Sequence, residues 1–192
     1  LILILIKSLT TDLIEHNKWI ILDRDGVINY DSQDYIKAPA EWVAIPGALE
    51  SIAKLNASGY KVIIVSNQSA VGRGMITSEI AEAIHAKLIS ELASFGGHIQ
   101  KAYYCFHTPE DKCLCRKPLI GLLQEAMSDW SIKSFASIPL LGDKSSDMQL
   151  AINLAAIPIH IQNPMYTINP LELVKVFKSF VSLEAFTEDW LN

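Results

Sequence analysis

The stretch Ile20-Ile21-Leu22-Asp23-Arg24-Asp25-Gly26-Val27 decides the fold. An apolar run from Trp19 to Leu22 stops at two carboxylates one residue apart, and a glycine follows. Short apolar runs bounded by a turn residue read as buried strands. A strand of a parallel sheet presents its ligands at its carboxyl end, so Asp23 and Asp25 emerge there together. Two acids crowded at a strand tip repel unless a cation lies between them or one keeps a proton. Either arrangement suits phosphoryl chemistry with a magnesium ion. Alone, the octet fits an Asp-Gly turn equally well.

Outward from this stretch, strands and helices alternate. Pro46-Gly47 opens a helix with Leu49, Ile52, Ala53 and Leu55 at helical spacing, closed by Gly59. Tyr60–Val65 is a second strand, continuously apolar as expected where both sheet faces are covered. It runs into Ser66-Asn67-Gln68-Ser69 and a glycine-bearing turn, whose hydroxyls and amides could serve phosphate oxygens or form an ordinary polar loop. Thr77 caps a helix carrying Ile80, Ile84, Leu88 and Leu92. Lys101–Phe106 is a third strand. Ile138–Leu141 is a fourth, ending in Gly142-Asp143-Lys144-Ser145-Ser146-Asp147, and Ile157–Ile161 is a fifth. Asp147 fits a helix cap as well as a site, whereas Asp143 favours the site. The spacing of Leu173, Val176, Phe177 and Phe180 predicts a helix around 171–180. This alternation indicates an α/β, doubly wound, Rossmann-like parallel sheet with helices on both faces.

The three cysteines all fall between 105 and 115. Cys105, His107, Cys113 and Cys115 supply four ligands whose types and spacing suit a tetrahedral zinc site. A full set leaves no open position, so this zinc is structural. Arg116-Lys117-Pro118 follows directly, with Leu119, Leu122, Leu123, Ala126, Met127 and Trp130 as an amphipathic helix and Pro118 in its first turn. Cations at a helix start oppose its dipole and call for an anionic partner.

Composition sets the remaining bounds. Sixteen basic against 21 acidic residues give a net charge of −5, which argues against a nucleic-acid surface. No apolar run approaches the ~20 residues that span a bilayer. Leu1–Ile6 lacks the basic leader and cleavage site of a signal segment. The expected organisation is an N-terminal extension over 1–18, a catalytic domain over 19–164 with its zinc loop at 105–115, and a helical C-terminal extension over 165–192.

Every polar cluster falls at a strand carboxyl end: Asp23/Asp25, Ser66/Asn67, the zinc loop with Lys117, and Asp143/Asp147. In that order the motifs resemble the haloacid dehalogenase superfamily of aspartate-nucleophile phosphatases, DRDGV, Ser66, Lys117 and GDKSSD standing for its four motifs. VSNQSAVGRG, CFHTPEDKCLCRKP and GDKSSDMQ are similar to the subgroup of D-glycero-D-manno-heptose 1,7-bisphosphate 7-phosphatases and histidinol-phosphate phosphatases, over residues 19 to about 161. Ser66 stands where threonine is frequent, and Leu154-Ala155-Ala156-Ile157 lacks a common glycine.

The resemblance implies that Asp23 is the nucleophile. Asp25 would be the general acid and base, which needs a pKa above that of Asp23. Ser66 and Lys117 would stabilise the phosphoryl group, and magnesium would lie on Asp23, the Asp25 carbonyl and Asp143. No stretch is long enough for a large cap domain. The zinc loop and Asp31, Ser32, Gln33 and Asp34 would therefore rim the substrate site, with Asn67, Gln68, Ser69, Arg116 and Lys144, and Arg73 beside them. The expected substrate is a small phosphorylated molecule, Arg116 favouring heptose bisphosphate over histidinol phosphate. A non-catalytic phosphate- or metal-binding module is the alternative from another class. A cytoplasmic monomer without nucleic-acid or membrane partner completes the expectation.

Overall fold

The computed structural model describes residues 18–166, 168 and 178–192. Strands β1 (Trp19–Leu22), β2 (Lys61–Asn67), β3 (Lys101–Cys105), β4 (Pro139–Gly142), β5 (Ile157–Ile161) and β6 (Lys178–Phe180) form one sheet in the order β3-β2-β1-β4-β5-β6. All five pairings are parallel. The helices are α1 (Ala48–Ala57), α2 (Ser78–Ala93), α3 (Gly121–Trp130), α4 (Ser145–Asn153) and α5 (Leu183–Leu191), with one helical turn at Ser69–Gly72. The strand order reverses between β1 and β4, the crevice where open α/β sheets bind ligands.

Side chains alternate across the strands and build two cores. Ile20, Leu22, Val62, Ile64, Leu141 and Ile159 point to the face covered by α1, α2 and α5. Trp19, Ile21, Ile63, Val65, Tyr103 and Leu140 point to the other, under α3 and α4. That two-sided burial is why the strands read as unbroken apolar runs. Thr77 caps α2, its hydroxyl accepting from the Ile80 amide at 3.4 Å.

Two expectations need correcting. Pro118 is not in the first turn of α3, which starts at Gly121; Leu119 is exposed, and Arg116 and Lys117 lie in the preceding loop. The dipole argument for an anionic partner therefore lapses. The helix expected around 171–180 lies over 171–177 outside the described residues, and Phe180 belongs to β6. Nor does the C-terminal segment stand apart: β6 pairs with β5, and α5 packs on α1 with Leu183 and Phe186 in the core. The N-terminal extension lies outside the described residues except for Lys18. No helix among those described is long and apolar enough to cross a membrane.

Candidate active site

Adjacency of β1 and β4 brings the two acidic strand ends together. The Asp23 amide donates to the Leu141 carbonyl at 2.9 Å, so the chain leaves the sheet beside β4. Carboxylate oxygens of Asp23, Asp143 and Asp147 lie within 4.8 Å of one another, all three buried. Two glycines permit this approach. Gly26 has φ +85°, and a Cβ there would overlap the Asp143 carboxylate; a Cβ on Gly142 would overlap the Asp147 side chain.

Lys117 is the counter-charge, itself buried. Its Nζ lies 2.9 Å from Asp23 Oδ1 and 2.6 Å from Asp147 Oδ1, and donates to the Val65 carbonyl at 2.9 Å. Burial alone would lower its pKa, but Asp147 and Asp23 outweigh that and raise it, keeping it charged. Asn67 fixes the lysine's backbone on both sides, accepting from the Lys117 amide at 3.0 Å and donating to its carbonyl at 3.2 Å. Asp147 Oδ2 accepts from the Lys144 amide at 3.1 Å, so it caps α4 while holding Lys117.

The acidic trio suits a hard cation. Asp143 Oδ1 is buried without a hydrogen-bond partner, a costly state for a carboxylate oxygen. Burial first, then the charge of Asp23, pushes the Asp143 pKa up to about 7. A divalent ion on Asp23 and Asp143 would satisfy that oxygen and remove the repulsion. Asp147 is ion-paired to Lys117 through Oδ1 and accepts the Lys144 amide at Oδ2, and so suits the neighbouring shell better than the ion. Asn163 steadies Asp143 by donating to its Oδ2 at 2.7 Å.

Asp25 departs from its expected electrostatics. Burial alone would raise its pKa, but Arg24 outweighs burial and holds the carboxyl below its usual range. The guanidinium is two-pronged, Nε to Oδ1 at 2.9 Å and Nη2 to Oδ2 at 3.0 Å. Asn29 and Gln68 add donations at 2.8 and 2.6 Å. Ser66 is buried, and its Oγ accepts from Gln68 Nε2 at 3.1 Å.

A cleft of about 340 Å³ opens against Asp25 and Lys117, while Asp23, Ser66 and Asp143 are buried and do not reach its lining. Asp25, Asp31, Ser32, Gln33, Asn67, Gln68, Ser69, Arg116, Lys117 and Lys144 line it together with Ser146 and Tyr166. Asp34 lines a neighbouring depression instead, and Arg73 is exposed outside the cleft. Asp31 anchors the rim, accepting from Lys144 Nζ and from the Tyr166 hydroxyl, each at 2.8 Å. Arg116 donates to the His107 carbonyl at 3.1 Å, tying the rim to the cysteine loop. Arg24 and Tyr166 were not anticipated. Arg24 was visible between the two acids, whereas Tyr166 sits beyond every motif.

Cys105, His107, Cys113 and Cys115 converge as expected. Five of the six separations among their sulfurs and His107 Nδ1 run from 3.2 to 3.7 Å, and all donor atoms lie within 4.8 Å of one another. A zinc with Zn–S near 2.3 Å sets tetrahedral edges of about 3.8 Å, so the four donors fit that ion. Thr108 and Asp111 form a capping box inside the loop, and Lys112 turns it at φ +48°.

A family model described as polynucleotide kinase 3 phosphatase matches residues 18–151. The chain belongs to this family of haloacid dehalogenase-type phosphatases. A relative from Bordetella bronchiseptica, named D-glycero-beta-D-manno-heptose-1,7-bisphosphate 7-phosphatase, is 39% identical over 145 residues, covering 76% of this chain and 80% of its own. A Pseudomonas putida protein of the same name is 40% identical over 145 residues, covering 76% and 82%. The crystal structure of the B. bronchiseptica D,D-heptose 1,7-bisphosphate phosphatase, complexed with magnesium and phosphate, superposes with a TM-score of 0.81 at 34% identity, covering 90% of this phosphatase and 97% of that chain. The phosphatase is thus a phosphoric monoester hydrolase with the α/β fold of its superfamily.

Proposed function

We propose that this phosphatase hydrolyses a sugar phosphate monoester through an aspartyl-phosphate on Asp23. Its substrate class would be the D-glycero-D-manno-heptose 1,7-bisphosphate of its relatives, cleaved at the 7-phosphate in lipopolysaccharide core heptose synthesis. The observation that carries the reading is the convergence of Asp23, Asp143 and Lys117 at the β1/β4 switch point. Asp23 Oδ1 is fixed by Lys117 Nζ and by the Arg24 amide at 2.7 Å, which orients the carboxylate for in-line attack. Magnesium on Asp23, the Asp25 carbonyl and Asp143 would neutralise phosphate charge and bring nucleophile and phosphorus together. Lys117 and Ser66 would carry charge on the transferring group. Arg24 holds Asp25 ionised, which suits its second role, deprotonating the water that cleaves the acyl phosphate. Its first role, protonating the departing sugar oxygen, would require the carboxyl to take up a proton with substrate in the cleft.

Lys144, Arg116 and Tyr166 rim the cleft and suit a polyhydroxylated, second anionic end of the substrate. The net charge of −5 supports a small molecule over nucleic acid. The reading extends to a monomeric cytoplasmic enzyme with one catalytic magnesium and one structural zinc. Phosphate release from heptose 1,7-bisphosphate and from histidinol phosphate, measured side by side with magnesium, tests it. A higher kcat/KM on the heptose compound is expected; the reverse order would reassign the substrate to histidinol phosphate.

A further inference from the structure

Gln68 was expected to touch substrate, yet its amide is almost wholly spent within the protein. Its Oε1 accepts from Arg24 Nη2 at 2.8 Å, and its Nε2 donates both to Asp25 Oδ2 at 2.6 Å and to Ser66 Oγ at 3.1 Å. Arg24 dictates which way the amide faces, because the reversed amide would turn its NH2 against the guanidinium. Both amide hydrogens are then committed. Arg24 is itself held fast: it is buried, pairs two-pronged with Asp25, and lies over the Tyr104 ring at 5.7 Å. A buried ion pair of this kind contributes little net stability against an apolar replacement, so stability alone does not account for its presence here. The acceptance at Ser66 supplies a reason. A hydroxyl oxygen that accepts from Gln68 keeps its own hydrogen free to donate.

We propose that Gln68, oriented by Arg24, is a positioning residue that sets Asp25 and Ser66 relative to each other. One amide would hold the proton-transferring carboxylate at the cleft while leaving the Ser66 hydrogen for the phosphoryl oxygens. The group that serves the leaving oxygen and the group that serves the phosphoryl oxygens are thereby placed as a pair. This rests on the roles proposed for Asp25 and Ser66, and the test separates the two.

The test compares kcat/KM for phenyl phosphate and p-nitrophenyl phosphate, with magnesium, in wild type, Gln68→Met, Gln68→Glu and Asp25→Asn. Neither ester depends on the sugar assignment. Phenolate is a poor leaving group that needs a proton, whereas nitrophenolate departs readily without one. Gln68→Glu keeps the acceptor for Arg24 and, ionised, loses both donations while setting a second acid against Asp25 Oδ2, so it disrupts the same placement by another route should Gln68→Met fold poorly. For both Gln68 variants the expected loss on phenyl phosphate is about tenfold or more, and at least about fivefold larger than the loss on p-nitrophenyl phosphate, the scale of impaired general acid catalysis. Equal losses on the two esters would overturn the proposal in favour of a merely structural role. A raised KM at unchanged kcat would overturn it in favour of a substrate contact. If Asp25→Asn itself shows no preference between the esters, the underlying role of Asp25 fails. If only the Gln68 variants lack that preference, the positioning inference fails alone.

Discussion

The acidic trio and the four-ligand cysteine loop are both clusters suited to a metal, yet they are assembled by opposite means. Asp23, Asp143, Asp147 and Lys117 come from strand ends and loops far apart in the chain and meet because β1 pairs with β4. Cys105, His107, Cys113 and Cys115 come from one short loop of which only Cys105 sits in the apolar core. The first cluster is built by the sheet and would persist without its ion, since the single charge of Lys117 already lies between two of its carboxylates. The second is a short polar loop held by its capping box, a few hydrogen bonds and the packing of Cys113 and Cys115 at the edge of the core, so its order would lean on the ion. The fold makes one site; the other site makes its own local fold.

Asp23→Asn breaks the acidic side of this contrast and carries the largest expected effect. An amide cannot attack phosphorus, so turnover should fall by about 10⁴-fold or more. The fold should survive, because Lys117 keeps Asp147 and the Val65 carbonyl and Asp143 loses a like charge. Steady-state kinetics alongside thermal unfolding would check both halves. Residual activity near wild type would remove Asp23 as the nucleophile. Collapse of the fold would show that the trio supports the sheet rather than resting on it.

Cys115→Ser acts on the other side. Wild-type protein purified without chelator should carry one zinc per chain by elemental analysis, and the variant should carry much less. The loop over 106–116 should then become open to proteolysis while the sheet stays protected, because β3 is held by its pairing with β2. Turnover should drop by about tenfold rather than vanish, the loss expected when Lys117, two residues beyond Cys115, is left less firmly placed. Global unfolding of the variant would erase the distinction between the two clusters, and an absence of zinc would remove the loop's ion.

What the sequence made legible follows from the same contrast. Strand ends could be read because an apolar run that stops at Asp23 or Gly142-Asp143 marks both the strand and its tip. The cysteine loop could be read because its ligands are neighbours in sequence. Pairwise geometry could not. Nothing local says that Arg24 clamps its neighbour Asp25, or that Gln68 turns inward to the same carboxylate. β6 escaped notice since three residues, Lys178, Ser179 and Phe180, carry too short a pattern and become a strand only by pairing with β5. Leu119 looked like core by spacing, but the chain does not enter its helix until Gly121.

The smallest expected effect probes how far the buried charge at Asp25 reaches from the cleft. Behind Arg24 stands Tyr104, whose hydroxyl lies 2.9 Å from His85 Nδ1 on α2. Burial first, then the charge of Arg24, lowers the His85 pKa below its ordinary value. The unfolded chain therefore takes up a proton near the ordinary ~6.5 that the folded chain refuses. Stability is complete above that pH and is lost as pH falls through and below it, because the unfolded state binds more protons there. His160, lowered by burial alone, contributes with the same sign. His85→Gln should flatten part of this slope in urea unfolding between about pH 7 and 5, leaving the part due to His160. An unchanged slope would mean that neither burial nor the Arg24 charge shifts His85, and that the buried ion pair stays a local matter of the cleft.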